Sequence, residues 1–202
     1  MIRLIGRAAV VATVAAGILS AIRQRYEAQA IRRGELPPAS ASADVPVRVR
    51  YGPFATRLAA WVPAPPRSRF GRIAASAWAG PLTVIGLVIA LVAGRPPVWD
   101  DQLDCFVAAG MRGPTSRLLR LLGADANTIG QIVLASPAEP SRVLLAHESI
   151  HARQAERFGP LLLPTYLWLG ARYGYRDNPF ERAARLGARR HRERRAADHA
   201  GT

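Results

Sequence analysis

Residues 73–94, IAASAWAGPLTVIGLVIALVAG, make an unbroken run of 22 residues without a charge. As a helix this run is about 33 Å long, enough to cross the apolar core of a bilayer. No polar face interrupts it, so it offers no side to turn towards water. Trp78 and Trp99 bracket its centre, and tryptophan favours the membrane interface. Pro81 falls near the start of the run, where a helix tolerates proline best. The expectation is a transmembrane or membrane-associated helix over 73–94, around which the rest of the chain must be arranged.

A second apolar stretch opens the chain. Arg3 and Arg7 precede an uncharged run from Ala8 to Ile22, the layout of a signal peptide or signal anchor over residues 1–22. No convincing cleavage site follows, which favours an uncleaved membrane segment. Residues 23–72 carry prolines, serines and many arginines, a linker composition. Within them VPVRVRYGPF alternates apolar and basic residues and reads as a short strand. Arg67, Arg69 and Arg72 precede the long apolar run, and Asp100, Asp101 and Asp104 follow it. Positive-inside reasoning then leaves residues 95–202 on the extracytoplasmic side of a bacterial inner membrane.

Charge narrows the partners. The formal net charge is +14, and all 28 basic residues are arginine. Together with abundant alanine and glycine, that uniformity points to coding bias and weakens the case for any single arginine. The arginines are scattered and no nucleic-acid recognition motif accompanies them, so anionic membrane lipid is the more natural partner. The single cysteine, Cys105, excludes an internal disulfide and a cysteine-built metal site.

From residue 95 the pattern is that of a compact domain reaching to about 187, followed by a basic tail over 188–202. VWDDQLDCFVA reads as a hairpin with an acidic turn. GPTSRLLRLLG reads as a short amphipathic helix ended by Gly123, and NTIGQIVLA as a β-strand, whose edge would suit an extended peptide. A long helix should then span about 137–157, with Ser136 as N-cap, Pro137 at its first position and Glu139 completing a capping box. Gly159 and Pro160 stop it. LLLPTYLWLGARYGY, broken by Pro164, is a packed helix or one that dips into the interface. A last helix starts at Pro179.

The chemistry sits in HESIH, residues 147–151, which holds two of the four histidines. Positions i and i+4 share a helix face, so His147 and His151 can present two imidazoles to one metal ion. Glu148 is turned by about 100° from His147. There it stands beside the metal as a general base for an activated water. Gln154 lies on the histidine face and can line the cleft or hydrogen-bond a ligand. Catalytic zinc takes three protein ligands and keeps one position open. Glu181, in the first turn of the last helix, is the best third partner. Asn178, Pro179 and Glu181 also spell a capping box, so the residues alone leave ligand and cap both open. Tyr175 and Arg176 stand close before Glu181 and could stabilise an oxyanion or be structural.

Taken together, HESIHARQ, FGPLLLPTYL and YRDNPFERAAR resemble a group of small, largely uncharacterised bacterial membrane proteins. These share an apolar segment, a T-x-G-x-x-V-L strand, an H-E-x-x-H-x-x-Q helix and a closing N-P-F-E-x-x-A. The resemblance covers about residues 77–186. A helix-borne H-E-x-x-H with a downstream glutamate is also similar to the gluzincin branch of zinc metallopeptidases. The resemblance implies Glu181 as the third ligand and a zincin-like fold. One departure is Gln131, in GQIVL, where the related strand often carries histidine.

The sequence therefore reads as an α+β chain, predominantly helical, with a small zincin-like domain behind one or two membrane segments. The expected function is a membrane-anchored zinc-dependent hydrolase, a metallopeptidase acting on a peptide or protein. His147, His151 and Glu181 would hold Zn2+ and Glu148 would move protons. Two alternatives belong to other classes: a membrane-associated interaction protein in which the metal only staples helices, and an anionic-lipid or nucleic-acid binder.

Overall fold

A computed structural model describes residues 2–37, 40–41 and 44–200. In chain order the elements are α1 (Ile2–Arg32), α2 (Pro53–Ala59), α3 (Arg69–Val92), β1 (Val98–Asp100), β2 (Cys105–Ala108), α4 (Gly113–Leu122), β3 (Ala126–Ile129), β4 (Ile132–Ala135), α5 (Arg142–Phe158), a 3-10 turn (Gly159–Leu161), α6 (Leu162–Tyr173) and α7 (Pro179–Ala200). The architecture is mixed α+β, mostly helical, around one four-stranded sheet of order β1-β2-β4-β3.

β4 explains the layering. Its four residues, IVLA, are all buried. Val133 and Ala135 join Cys105, Leu145, Ala146 and Ala152 beneath α5. Ile132 and Leu134 point the other way, to Ala90, Ala108 and Met111 beside α3. A strand covered on both faces needs this continuous apolar run. The sheet is thus sandwiched between α3 and α5. β2 and β4 run parallel, with α4 and β3 in the connection, while β1–β2 and β3–β4 are antiparallel. The acidic hairpin turn forms as expected, with Asp100 Oδ1 accepting from the backbone N–H groups of Gln102 and Leu103.

The stretch NTIGQIVLA, expected as one strand, is two. Ile129 pairs with Ile132 across a two-residue turn at Gly130 and Gln131. Gly130 has φ +65°, a conformation that glycine adopts without a Cβ penalty, as two-residue hairpins require.

Four expectations shift elsewhere. The long helix begins at Arg142 and its cap is Ser141, whose Oγ accepts from Leu144 N. Ser136, Pro137 and Glu139 lie before it, because Pro140 disfavours helical backbone at Glu139. Residues 23–32, expected as linker, continue α1. VPVRVRYGPF forms no strand; its end enters α2. Pro37, Val45 and Tyr51 are nonetheless pinned to the end of the chain's last loop and to α7. Arg176 Nη1 donates to Pro37 O, Arg182 Nη1 to Val45 O and Tyr51 Oη to Asp177 O.

The apolar run 73–94 is helical as far as Val92, but α3 starts earlier, at Arg69, so Pro81 lies in its interior. The helix is long and apolar enough to cross a membrane. It is also docked. Ala75, Ala79, Leu82, Gly86 and Ala90 form a buried stripe, and a Cβ on Gly86 would come 2.6 Å from Ile129 O and 2.9 Å from Ile132 Cβ. Small residues on this face let the sheet approach the helix backbone. The remaining faces of α3 stay exposed and apolar, with Phe70 at 80% and Val92 at 84%.

Candidate metal centre

α5 is unusual in burying polar side chains along most of its length. His147, Glu148, His151, Gln154 and Glu156 are all buried. Buried polar groups must be satisfied or they cost stability. Their partners therefore reveal what the helix is arranged to do.

His147 and His151 face each other one turn apart, with 3.3 Å between their Nε2 atoms. Glu181, from the first turn of α7, closes the triangle. Its Oε2 lies 3.2 Å from His147 Nε2 and its Oε1 lies 3.2 Å from His151 Nε2. These three residues form the metal-capable cluster among the described residues, with ligand atoms within 4.8 Å of one another. Zinc bonds of about 2.0–2.1 Å in tetrahedral array place ligand atoms about 3.3 Å apart, close to the separation of the two Nε2 atoms and of each from its nearer Glu181 oxygen.

The other ring nitrogens fix the tautomers. His147 Nδ1 lies 3.1 Å from Ala41 O, and a carbonyl can only accept, so Nδ1 donates. His151 Nδ1 lies 2.8 Å from Gln154 Oε1. Gln154 is oriented in turn, because its Nε2 donates to Phe180 O at 3.1 Å. Both neutral imidazoles therefore turn an Nε2 lone pair towards Glu181. An acceptor at the far nitrogen is the arrangement that orients metal-binding histidines. In keeping with this, Glu181 Oε2 is buried with no hydrogen-bond donor.

The buried Arg185 guanidinium lies 3.9 Å from Glu181 Oε2, too far to donate a hydrogen bond. The two Nε2 lone pairs and the carboxylate therefore still face one another without a donor between them. Without metal, a proton serves. Burial works against charge on His151, but the Glu181 carboxylate outweighs it and pushes the imidazole up to about 9. Burial likewise opposes charge on Glu181, yet the charges and hydrogen bonds of the two histidines hold its carboxyl well below the usual range. The donor set of two imidazoles and one carboxylate suits zinc.

Glu181 does not fold back on its own helix. Asn178 N donates to Tyr175 O, and Phe180 N is taken by the Asn178 side chain. The start of α7 is thus capped without the glutamate. Its carboxylate instead receives the Tyr166 hydroxyl at 2.6 Å on Oε1. Tyr166 stacks on Phe180 and meets His151 edge-on. Burial, and then the Glu181 charge, push its phenol well above its ordinary value, so it remains a donor.

Glu148 lies beside the cluster. Thr128 Oγ1 donates to its Oε2 at 2.6 Å. With His151, Tyr166 and Glu181, Glu148 lines a cavity of about 300 Å³. Tyr175 borders the same cavity, its phenol raised well above the ordinary value by burial and by the Glu181 charge. Arg176 borders a neighbouring cavity with His147, but its guanidinium is turned to Pro37 O and its N–H to Glu27 Oε2. Gln131 stands apart from the metal cluster. It donates to Glu156 Oε1, which also pairs with Arg153, and to Ser76 Oγ on α3.

Sequence reasoning brought His147, Glu148, His151, Gln154 and Glu181 together. It missed Tyr166, Thr128 and Ala41. Compared with protein-family models, curated proteins and solved structures, the chain has no match.

Proposed function

We propose that this chain is a membrane-associated, zinc-dependent hydrolase, a peptidase of gluzincin type on a zincin-like arrangement. The observation that carries the proposal is the triangle of His147, His151 and Glu181, whose 3.2–3.3 Å separations suit tetrahedral zinc. Zinc supplies a Lewis acid and a nucleophile at neutral pH. The protein's own groups do the rest. Gln154 and the Ala41 carbonyl hold the rings, Tyr166 holds the Glu181 carboxylate, and Thr128 holds one oxygen of Glu148. Glu148, bordering the cavity, accepts a proton from the attacking water and returns it to the leaving amine.

The exposed apolar faces of α3 support a lipid environment, since monomeric soluble proteins rarely leave large contiguous apolar patches bare. Arg67, Arg69 and Arg72 around the start of α3, with Asp100, Asp101 and Asp104 beyond its end, favour an extracytoplasmic site. An alternative reading shares the ligand set and gives the metal only the role of stapling α5 to α7.

The full chain purified in detergent should carry zinc close to one per molecule by metal analysis. Glu148→Gln should keep that zinc and lose peptide hydrolysis. Hydrolysis at the parent rate in the variant would remove Glu148 from the mechanism. Absence of hydrolysis in a zinc-loaded parent would leave the staple.

A further inference from the structure

Two cavities meet at the cluster, and they differ in kind. The first is walled by Gly17 and Ala21 of α1, Leu82 and Ile85 of α3, and Leu163 and Leu167 of α6. Glu148, His151 and Glu181 form its polar end. Ile85 and Leu163 line this cavity yet are 50% and 47% exposed, so they stand at its mouth. Outside the mouth the same helices expose Val84 and Val88, Ile18 and Trp168. The opening is therefore continuous with the apolar exterior of the protein. The second cavity, of about 320 Å³, is bordered by Glu27, Asp125, Arg176 and Arg185 and reaches His147 and Glu148 from another side.

β3 shows what kind of chain the first cavity fits. Ala126, Asn127, Thr128, Ile129 and Gly130 all border it. Side chains on a strand alternate between faces, so consecutive residues can share a cavity only along the strand's edge. β3 is an edge strand, hydrogen-bonded to β4 on its other side. Among the described residues no backbone hydrogen bond is made on its outer edge, so the N–H and C=O groups there can pair with an extended peptide. An acyl chain would fill the apolar space and leave those groups unpaired.

We infer that the substrate is an apolar peptide segment that enters from the bilayer between α3 and α6 and lies extended along the free edge of β3. This rests on the hydrolase reading. Water reaches Glu148 through the second cavity, the more polar of the two. Its oxygen adds to the scissile carbonyl carbon, the C–N bond breaks, and the proton taken by Glu148 leaves on the new amine.

The test uses the full chain in phospholipid vesicles with zinc, carrying a benzophenone amino acid in place of Ile85, Leu163 or Phe70. The probe is a leucine/alanine-rich peptide of about 20 residues, long enough to reside in the bilayer. Phe70 is the control, since it is exposed on α3 but does not line the cavity. Peptide crosslinking at positions 85 and 163 should exceed that at 70 by at least about tenfold, a difference of about 1.4 kcal/mol in local occupancy. It should persist in the Glu148→Gln background, so binding is read apart from turnover. Equal labelling at all three positions overturns the inference, as does labelling at 85 and 163 by lipid chains alone. Cleavage of a water-soluble peptide without enrichment at 85 and 163 leaves the hydrolase and removes the membrane route. Enrichment without cleavage by the parent keeps the route and removes the hydrolase.

Discussion

Glu181→Gln separates the two readings of that residue, and its size follows from the geometry. The carboxylate lies 3.2 Å from both Nε2 atoms in a buried site. In the metal-free protein burial opposes charge on His151, and Glu181, helped by Glu148 and Gln154, raises it from 6.5 to about 9, equivalent to ~3 kcal/mol favouring the folded state while the ring is charged. The sign is fixed by the direction of the shift. Below the ordinary 6.5 the folded and unfolded states both hold the proton and the stabilisation is complete. It is lost as pH rises through 9. The depressed Glu181 carboxyl gives the complementary limit, with stabilisation present above its ordinary 4.5 and lost as pH falls through its folded value. The two shifts describe one interaction and count once. Chelated parent protein should therefore lose ~3 kcal/mol in denaturant titrations between about pH 6 and about pH 9.5, and Glu181→Gln should lose most of that dependence. Zinc affinity, measured by competition with a chromogenic chelator, should fall by at least about a hundredfold, the upper end of what even indirect partners contribute. A variant with parental zinc affinity and a parental pH slope would refute the ligand geometry and restore the helix cap.

Other substitutions probe the supports. Ser141→Ala should cost ~1 kcal/mol as loss of the α5 cap, whereas Ser136→Ala should be near neutral, because Ser136 Oγ is buried without a partner; chemical denaturation compares them. Gln154→Leu leaves the His151 Nδ1–H and the Phe180 carbonyl without partners, and should weaken zinc about 10–100-fold by the same competition assay. Replacing His147, His151 and Glu181 together by leucine should abolish zinc binding and stabilise the chelated protein by about 1–4 kcal/mol, provided the leucines repack.

How much of this was legible follows from where each signal lies. The H-E-x-x-H spacing and the Gly159 stop are local, so α5 and its two histidines could be read directly. Its start was misread although the signal is equally local: Ser136-Pro137 imitates a cap, but Pro140 decides against it and Ser141 follows at once. The Gly130-Gln131 turn was visible between two β-branched runs and could have split the expected strand. Glu181 was ambiguous because Asn178-Pro179-Phe180-Glu181 satisfies a local rule, and the choice is made by distant groups, Tyr166 and the two imidazoles. Tyr166 reaches Glu181 across the α6–α7 turn with no spacing rule to flag it. Ala41 acts through its backbone carbonyl, which any residue could provide. The buried stripe of α3 was hidden because alanine and glycine look as apolar as the lipid-type residues beside them.

The same geometry bears on why such a cluster exists. A buried carboxylate between two imidazoles is a poor device for stability, since removing charges from water costs about as much as their attraction returns. Here the cost is compounded. The Ala41 carbonyl and Gln154 commit both Nδ1 protons outwards, so the inner nitrogens meet Glu181 as acceptors. If a proton alone were the intended occupant, a tautomer with Nε2–H pointing at the carboxylate would satisfy it without help. The structure instead enforces the opposite tautomer twice, from two unrelated parts of the chain. Tyr166 then donates to Oε1 and leaves Oε2 without a donor. Local frustration of this kind marks a site shaped for something other than folding. Two imidazole lone pairs 3.3 Å apart, each 3.2 Å from an oxygen of one carboxylate, suit a small divalent cation better than a packed core.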